Sequence, residues 1–298
     1  MSMFIHVVLP VFLIFAVGFI IQKWKKVDIK PISTVAIYIL TPALVFRTFS
    51  TSELNRDVFY MVVFALLLLI LLIGWNKLFA KWKKLDSATE SGIILSTAFK
   101  NAGNYGAPII LFAYGETGFT IAVIYMVLQS IIMNSFGVYY AASGQLGVRY
   151  ALKTVMTMPA TYAMIAAILF KVLPIDIPTN MMLPINMLAD AAIPTAMVIL
   201  GMQLGNIKVT SFDWSLIGFS VVTRLFISPV IAFLLTLWIP MDPMMQKVLI
   251  LSAAMPSAAT IVMFAVQFDS KPQLVSSVTL VTTIISIFTI TGLLIILG

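Results

Sequence analysis

Apolar stretches about 20 residues long alternate with short polar segments along the whole chain. A helix that crosses the hydrocarbon core of a bilayer needs about 20 mostly apolar residues, and ten stretches meet that requirement. They cover approximately 3–22, 31–50, 58–76, 88–114, 117–141, 150–170, 179–205, 213–238, 244–267 and 271–297. Because the connections are too short for a soluble domain, the pattern predicts an all-α polytopic membrane protein forming a single unit over 1–298.

The fourth stretch is interrupted by polar and helix-weakening residues, namely Lys100, Asn101, Asn104, Gly106 and Pro108. A proline removes a backbone donor and a glycine loosens the helix, so we expect a broken helix here. Irregular backbone at membrane depth is tolerated only where it packs against protein or lines a watery cavity. A proline kink that serves packing alone is the alternative, but it does not account for the lysine.

The ninth stretch carries a matching break at Pro256 and Ser257. When the Leu-Ser pairs that precede the two breaks are aligned, these residues stand opposite Lys100 and Asn101. The match indicates that the two halves of the chain are related.

Prolines correspond in the second and seventh stretches as well, where Pro42 and Pro194 are predicted to break the helix. They precede the aligned serines by 54 and 58 residues, so the first five stretches match the last five. Because five is odd, the halves 1–145 and 146–298 enter the membrane from opposite sides. An inverted repeat of this kind places the substrate site at mid-membrane, between the interrupted helices.

Basic residues cluster in alternate loops. Of the 18 Lys and Arg residues, 12 lie in one set of loops and 4 in the other, while Lys100 and Arg224 lie inside stretches. Cytoplasmic loops carry the excess of Lys and Arg, so both termini are predicted to be extracellular, on the outer side of the cytoplasmic membrane. The formal net charge of +7 therefore indicates membrane loops, and we expect no nucleic-acid partner.

The composition excludes several classes of function. The chain is 61% hydrophobic and 10% charged and contains no cysteine, which excludes a soluble globular domain and thiolate catalysis. The one histidine, His6, stands near the N-terminus, so an intramembrane enzyme would have no base for a nucleophile. We expect no metal and no cofactor. A channel would need a pore-lining ring or filter, which the paired breaks do not indicate.

Five motifs resemble the auxin efflux carrier family, which includes plant PIN-type carriers and bacterial organic-acid permeases. They are Asn101 with Gly106-Ala107-Pro108, "AAMPSAATIVMFAVQF" at the second break, "ADAAIPTAMVILGMQL", "TRLFISP" and "YILTPALVF". The motifs occur in the family's order and cover nearly the whole chain. The resemblance implies ten transmembrane helices arranged as two inverted five-helix repeats, in which the broken helices 4 and 9 cross.

The resemblance also implies a scaffold part, 1–52 and 148–206, that forms a homodimer. A transport part, 53–147 and 207–298, would move against it in an elevator fashion. We therefore expect a secondary transporter of small organic anions, either mono- or dicarboxylates, whose partners are the anion and the lipid bilayer. A sodium-coupled bile-acid-type symporter of related crossed-helix architecture is the alternative, and sodium dependence of uptake separates the two.

The chemistry of the paired breaks suits an anion. Half-helix N-termini carry unpaired N–H groups and partial positive charge. The expected substrate site comprises Lys100, Asn101, Asn104, Gly106, Pro108, Pro256 and Ser257. One carboxylate would accept hydrogen bonds from the breaks, Asn101 and Ser257, and a second would pair with Lys100. Alternatives are snorkelling of Lys100 to the interface and local capping of the broken backbone by Asn104 and Ser257.

Asp190 and Arg224 are charged residues inside the seventh and eighth stretches. They lie 18 and 16 residues from a loop centred near residue 208, and therefore at nearly equal depth. A lone intramembrane charge is costly, so the spacing predicts a gating or structural ion pair between them. The alternative is that Arg224 binds backbone carbonyls at the second break.

Two glycines inside predicted spans, Gly18 and Gly292, need a separate explanation. Neither stands beside a polar break. Small residues let membrane helices approach closely, so both are predicted to lie at tight helix crossings.

Overall fold

A computed structural model of the chain describes residues 3–52, 56–142, 156–173, 177–207 and 213–298. Every regular element in these ranges is helical, and they contain no strand. Three of the basic residues that set the predicted orientation lie outside the described residues, namely Arg149, Lys153 and Lys208. The all-α prediction is confirmed for the part of the chain that the structure describes.

The helices are numbered in chain order: α1 (Phe4–Lys25), α2 (Ile29–Thr51), α3 (Arg56–Lys83), α4 (Ser87–Ala98), α5 (Ala102–Ala141), α6 (Pro159–Val172), α7 (Thr179–Asn206), α8 (Trp214–Thr236), α9 (Pro243–Ala253), α10 (Thr260–Phe268) and α11 (Pro272–Leu297). Among the described residues, seven of them are long and apolar enough to cross a membrane: α1, α2, α3, α5, α7, α8 and α11. The helices α4, α6, α9 and α10 are shorter.

Large apolar side chains remain exposed on the outside of these helices. The exposed fraction is 86% for Trp238, 80% for Ile296 and 75% for Met187. Extended exposed apolar surface is rare in soluble monomers and marks contact with a membrane or a partner. The surface and the seven long apolar helices together define a multi-pass membrane protein.

The helix α5 consists of two arms that meet at Gly115. This glycine has φ 64° and ψ −161°, a backbone conformation that residues with a side chain rarely adopt. Gly103, before the turn, faces the sulfur of Met126, after it, so the two arms run antiparallel. The turn falls between the predicted stretches 88–114 and 117–141.

Four prolines each follow a five-residue π-helical turn by two residues. The pairs are Phe4–Val8 with Pro10, Ala36–Leu40 with Pro42, Ala102–Gly106 with Pro108, and Thr223–Ile227 with Pro229. A proline has no N–H, so the carbonyl four residues earlier loses its usual donor. In each π-turn the residue just before the proline donates its N–H across the wider i→i+5 spacing, to the carbonyls of Phe4, Ala36, Ala102 and Thr223 respectively. The hydrogen-bond register of the helix therefore shifts just ahead of each proline.

The predicted helix breaks at Pro42 and Pro194 were therefore wrong. The helix α2 runs through Pro42 after its π-turn, and α7 is continuous through both Pro184 and Pro194. Prolines are tolerated in membrane helices where neighbouring helices and local adjustments satisfy the freed backbone groups. The helix α7 has such neighbours, since it packs against α1 and α2.

The contact between α1 and α7 depends on glycine. A Cβ atom at Gly18 would overlap the backbone carbonyl of Val198, and one at Gly201 would overlap that of Phe15. The prediction that Gly18 serves close packing is confirmed. The same prediction for Gly292 was wrong, because no atom of another described helix lies within 4 Å of the Cβ position there. A glycine in a membrane span is thus not by itself evidence of a tight crossing.

Apart from α5, which contacts helices of both groups, the helices fall into two sets by contact. In the first set α1 packs on α7, and α2 packs on both α6 and α7. In the second set α3 packs on α4 and α8, α8 on α9, and α11 on α4, α8 and α10. The two short interruptions, between α4 and α5 and between α9 and α10, both belong to the second set.

Candidate functional site

The first interruption separates α4 from α5. The helix α4 ends at Ala98, Phe99 is extended with φ −108° and ψ 110°, and Asn101 has φ −82° and ψ 69°. Lys100 stands between them, and α5 begins at Ala102. Three residues of non-helical backbone are therefore placed where the sequence predicted a break.

The second interruption separates α9 from α10 and lies directly against the first. The backbone N–H of Asn101 donates to the carbonyl of Pro256 at 2.9 Å, and that of Ala258 donates to the carbonyl of Phe99 at 3.1 Å. These bonds form an isolated antiparallel bridge between Lys100 and Ser257. The structure thus brings together four of the predicted site residues: Lys100, Asn101, Pro256 and Ser257.

Each interruption satisfies backbone groups of the other. An unpaired backbone group inside a membrane costs several kcal/mol, so broken helices persist only where partners are supplied. Besides the two backbone bonds, the hydroxyl of Ser257 donates to the carbonyl of Ser96 at 2.5 Å. Ser257 therefore binds the broken backbone, which is the alternative considered for it, although the bond reaches across to the opposite break.

Lys100 is buried beside the bridge. Its side chain is 6% exposed, and Nζ lies 5.0 Å from the centroid of the Tyr125 ring. Among the described residues no carboxylate lies within salt-bridge distance of it. Burial excludes snorkelling to the interface in this structure. A cation over an aromatic face is stabilised by the ring quadrupole but keeps its N–H donors for another acceptor.

The two asparagines differ in burial but share a lack of partners. Asn101 is buried and Asn104 is half-buried, and no described residue hydrogen-bonds to either side-chain amide. Local capping is therefore not what Asn104 does here. Gly106 and Pro108 are buried behind them, and a Cβ at Gly106 would lie 3.3 Å from the Asn101 carbonyl oxygen. The lack of a side chain at Gly106 lets the backbone at Asn101 pack closely against α5. The two side-chain amides remain available to a ligand.

Arg224 is the largest fully buried side chain among the described residues. Its Nη1 donates to the carbonyl of Thr97 at 2.5 Å, while Nη2 donates to the hydroxyl of Ser228 at 2.7 Å and to the carbonyl of Ala253. Ser228 in turn donates to the Ala253 carbonyl at 2.8 Å. The guanidinium therefore contacts the last turns of both α4 and α9.

The predicted ion pair between Asp190 and Arg224 was wrong. Asp190 accepts from Nη1 of Arg47 at 2.5 Å, and its side chain is 72% exposed. Equal spacing from the predicted loop between two consecutive helices did not make the two residues neighbours. The helix α7 packs on α1 and α2, whereas α8 packs on α3, α9 and α11. The alternative for Arg224, binding to carbonyls at the second break, is what the structure shows.

Asp190 and Pro194 belong to a different place. Together with Arg47 and Glu116 they line a cavity of about 220 Å³ between α1, α2, α5 and α7. The other lining residues are Ile14, Leu111, Phe112, Phe119, Ala189, Ile193 and Met197. The predicted site residues are thus divided between the paired breaks and this cavity.

Two buried polar residues on the second arm of α5 were missed from the sequence. The hydroxyl of Tyr125 and the amide nitrogen of Gln129 are buried and have no hydrogen-bond partner among the described residues. The comparable hydroxyl of Tyr105 is paired with Ser286 at 2.7 Å. Tyr125 and Gln129 stand four residues apart, on one face of the second arm of α5. That spacing of two polar residues in an apolar span was the available signal.

Seven spanning-length helices among the described residues, with two interruptions joined inside the helical bundle, define a polytopic membrane protein. A sequence model of the family described as membrane transport protein matches the chain in two segments, residues 3–150 and 148–294. The chain belongs to this family, which is the auxin efflux carrier family that its motifs resemble.

Individual relatives are similar over nearly the whole chain. An "Uncharacterized transporter" of Methanothermobacter thermautotrophicus is 26% identical over 290 residues, which cover 94% of each chain. A "Putative malonate transporter" of Rhizobium meliloti is 28% identical over 284 residues, 88% of this chain and 85% of the relative. An uncharacterized transporter of Methanocaldococcus jannaschii is 25% identical over 307 residues, 95% of this chain and 96% of the relative. The protein is a membrane transporter and not an enzyme.

Proposed function

We propose that this protein is a secondary transporter of small organic anions, either mono- or dicarboxylates. One observation carries the proposal: the first of the joined breaks contains a buried lysine and two asparagines, and no described residue hydrogen-bonds to the asparagine side-chain amides. Carboxylates are the small ligands that accept from such donors and balance such a charge.

Charge supports an anion over a neutral solute. Lys100 is buried without a described carboxylate in salt-bridge distance and close enough to the buried Arg224 to be affected by its charge. The guanidinium of Arg224 is already bound to carbonyls, so it is the charge of Lys100 that has no described acceptor. Uncompensated charge inside a membrane is expensive, and such residues mark substrate pathways. A bound carboxylate offsets that charge. A second carboxylate adds a contact to Lys100, which favours dicarboxylates where the two groups are a few bonds apart.

The donors around the breaks supply recognition. We assign Lys100, Asn101 and Asn104 to direct contact with the anion, and we add Tyr125, whose hydroxyl is buried without a described partner. The first-turn N–H groups of α5 after Ala102 have no intrahelical acceptor by construction. Gly106, Pro108, Pro256 and Ser257 shape the breaks that present these groups.

The ten-helix inverted repeat belongs to the same proposal. The two family matches divide the chain near residue 149, close to the predicted boundary between 1–145 and 146–298. The interruption after α4 and the interruption after α9 occupy corresponding places in these halves. Their antiparallel pairing is what two helices entering from opposite sides and crossing would produce.

We further propose an elevator-type movement in the cytoplasmic membrane, with both termini extracellular. The first set of helices, within 1–52 and 148–206, forms the scaffold and the homodimer contact. The second set, within 53–147 and 207–298, carries the breaks and moves. Support comes from the way that α1, α2, α6 and α7 pack mainly on one another, with glycine-mediated contact between α1 and α7.

The test is binding of a carboxylate panel to the purified protein. Malonate, acetate and uncharged malonamide serve as probes in a thermal-shift measurement, with malonate chosen because of the relative's name. Ligand at 100 times Kd stabilises by about 2.7 kcal/mol, which raises the midpoint by several degrees. We expect a shift with at least one carboxylate and none with malonamide. Equal shifts with malonamide, or no shift with any acid, contradict the proposal.

A further inference from the structure

The C-terminal ends of α4 and α9 meet at one side chain. Thr97 lies one residue before the end of α4, and Ala253 is the last residue of α9. Both carbonyls accept from the guanidinium of Arg224, one from each terminal nitrogen. The residue itself comes from a third helix, α8, and is completely buried.

Helix C-termini attract cations. The last four carbonyls of a helix have no intrahelical donor and carry partial negative charge. Inside a membrane no bulk water is present to satisfy them. In secondary transporters with interrupted helices, such carbonyls and half-helix C-terminal ends are the groups that coordinate the coupling cation. The guanidinium of Arg224 supplies the positive charge that these C-terminal carbonyls attract, and it is part of the protein rather than a bound ion.

The local structure of α8 fixes the position of that charge. Arg224 lies in the π-helical turn Thr223–Ile227, and this turn ends two residues before Pro229. Ser228 stands four residues after it, accepts from Nη2 and passes a hydrogen bond of its own to the Ala253 carbonyl. The arginine is therefore held at both of its terminal nitrogens and cannot move independently of the two breaks.

We propose that Arg224 is a built-in cation that holds the ends of α4 and α9 together, so that the crossing assembles without a metal cation. Arginine stays protonated at all ordinary pH values, so the charge does not titrate. Arg224 is a positioning residue: it fixes the breaks that carry Lys100 and Asn101. The inference also bears on whether transport is coupled to a sodium gradient. In that respect it rests on the proposed function, and it implies transport that is independent of sodium.

The test needs no substrate. Purified Arg224→Ala is compared with the unmodified protein by hydrogen exchange at the two breaks, over 95–104 and 252–260, and by thermal midpoint. Each measurement is made in choline, sodium and low-millimolar guanidinium chloride, with urea as an uncharged control. We expect exchange at both breaks to accelerate about ten- to hundredfold in Arg224→Ala, the factor expected for a lost charged hydrogen bond. Guanidinium, but not urea or choline, should restore most of the protection.

Matched variants separate this role from simple packing. Arg224→Lys keeps the charge but loses the planar fork with two terminal nitrogens, so protection at the breaks should lie between that of Arg224→Ala and that of the unmodified protein. Arg47→Ala removes an arginine whose partner Asp190 is exposed, and it should leave exchange at both breaks unchanged. Ser228→Ala should accelerate exchange at 252–260 alone.

Three results would overturn the inference. The first is unchanged exchange at both breaks in Arg224→Ala. The second is equal recovery with urea, which would indicate general solvation. The third is a thermal midpoint of the unmodified protein that rises when choline is replaced by sodium, because the crossing would then use a metal cation. None depends on whether malonate is transported, so failure of the proposed function would be recognised separately.

Discussion

Asn101 donates its backbone N–H to the carbonyl of Pro256 at 2.9 Å, across two interrupted helices from opposite halves of the chain. The bond fixes the position of each break through the other. Residues on both sides, Lys100 and Ser257, consequently form one structure rather than two separate kinks.

Lys100 should set the preference for substrate charge. Lys100→Ala removes a buried ammonium group and with it a desolvated charge contact to the substrate. The binding free energy should fall by about 1.5–3 kcal/mol, which is some 10- to 150-fold in affinity. We expect dicarboxylates to lose that factor and monocarboxylates to lose less, as measured by competition against a labelled substrate. Unchanged selectivity would remove Lys100 from the binding site.

The two buried tyrosines provide a matched pair. Tyr125→Phe removes a hydroxyl with no described protein partner, so stability should be unchanged while carboxylate affinity falls about tenfold. Tyr105→Phe breaks the hydrogen bond to Ser286 and should lower stability by about 0.5–1.5 kcal/mol without affecting affinity. Thermal midpoints and binding isotherms of both variants test this. The opposite assignment of the two effects would show that Tyr125 does not contact substrate.

Glycine substitutions should separate close packing from open surface. Gly201→Ala places a Cβ against the backbone of Phe15 and should destabilise the protein by about 1–3 kcal/mol. Gly292→Ala adds a Cβ in open space and should stabilise the helix by about 0.5–1 kcal/mol. The two variants carry the same chemical change, so their thermal midpoints compare the sites directly. Equal shifts would contradict the close contact of α1 and α7.

Asp190 and Arg224 should act independently. Asp190→Asn breaks an exposed pair with Arg47 and should cost about 0–1 kcal/mol. Arg224→Gln loses charged hydrogen bonds worth about 1.5–3 kcal/mol each. The double variant should equal the sum within about 0.5 kcal/mol, as expected for residues without shared partners. A coupling energy well above that value would restore the ion pair first inferred from their spacing.

Membrane topology can be tested in a background without cysteine. Single cysteines at Lys26 and Trp82 should react with an impermeant maleimide from the cytoplasm only. Cysteines at Glu116 and Asp242 should react from outside only. A fully reversed pattern would reject the proposed orientation, and a mixed pattern would reject the inverted repeat as well.

The sequence predicted where the chain breaks but not how the breaks are stabilised. A lysine inside an apolar stretch, Lys100, followed within eight residues by Gly106 and Pro108, indicated the first break. Alignment of the two halves of the chain indicated the second break, at Pro256. Prolines at 42 and 194 gave the same signal, yet the helices continue there, through a π-turn just before Pro42 and without one at Pro194. Proline content alone cannot distinguish a break from a bulge, since the difference depends on what neighbouring helices supply.

Side-chain pairing was less predictable than backbone form. Depth along a helix follows from residue counting, whereas the direction a side chain faces depends on which helices are neighbours. The prediction that Asp190 and Arg224 form a pair was therefore wrong. Tyr125 was missed because it lies in an unbroken span, where its contact with Lys100 appears only once the helices are packed.

Uptake into proteoliposomes tests the central claim most directly. The purified protein is reconstituted, and labelled malonate and other small carboxylates are offered in sodium-free buffer, with Asn101→Ala and protein-free liposomes as controls. The account predicts saturable uptake of at least one carboxylate, unchanged when sodium is added and reduced at least about tenfold in Asn101→Ala, as expected for a lost charged hydrogen bond. No saturable uptake of any carboxylate, or equal uptake by folded Asn101→Ala, would contradict it.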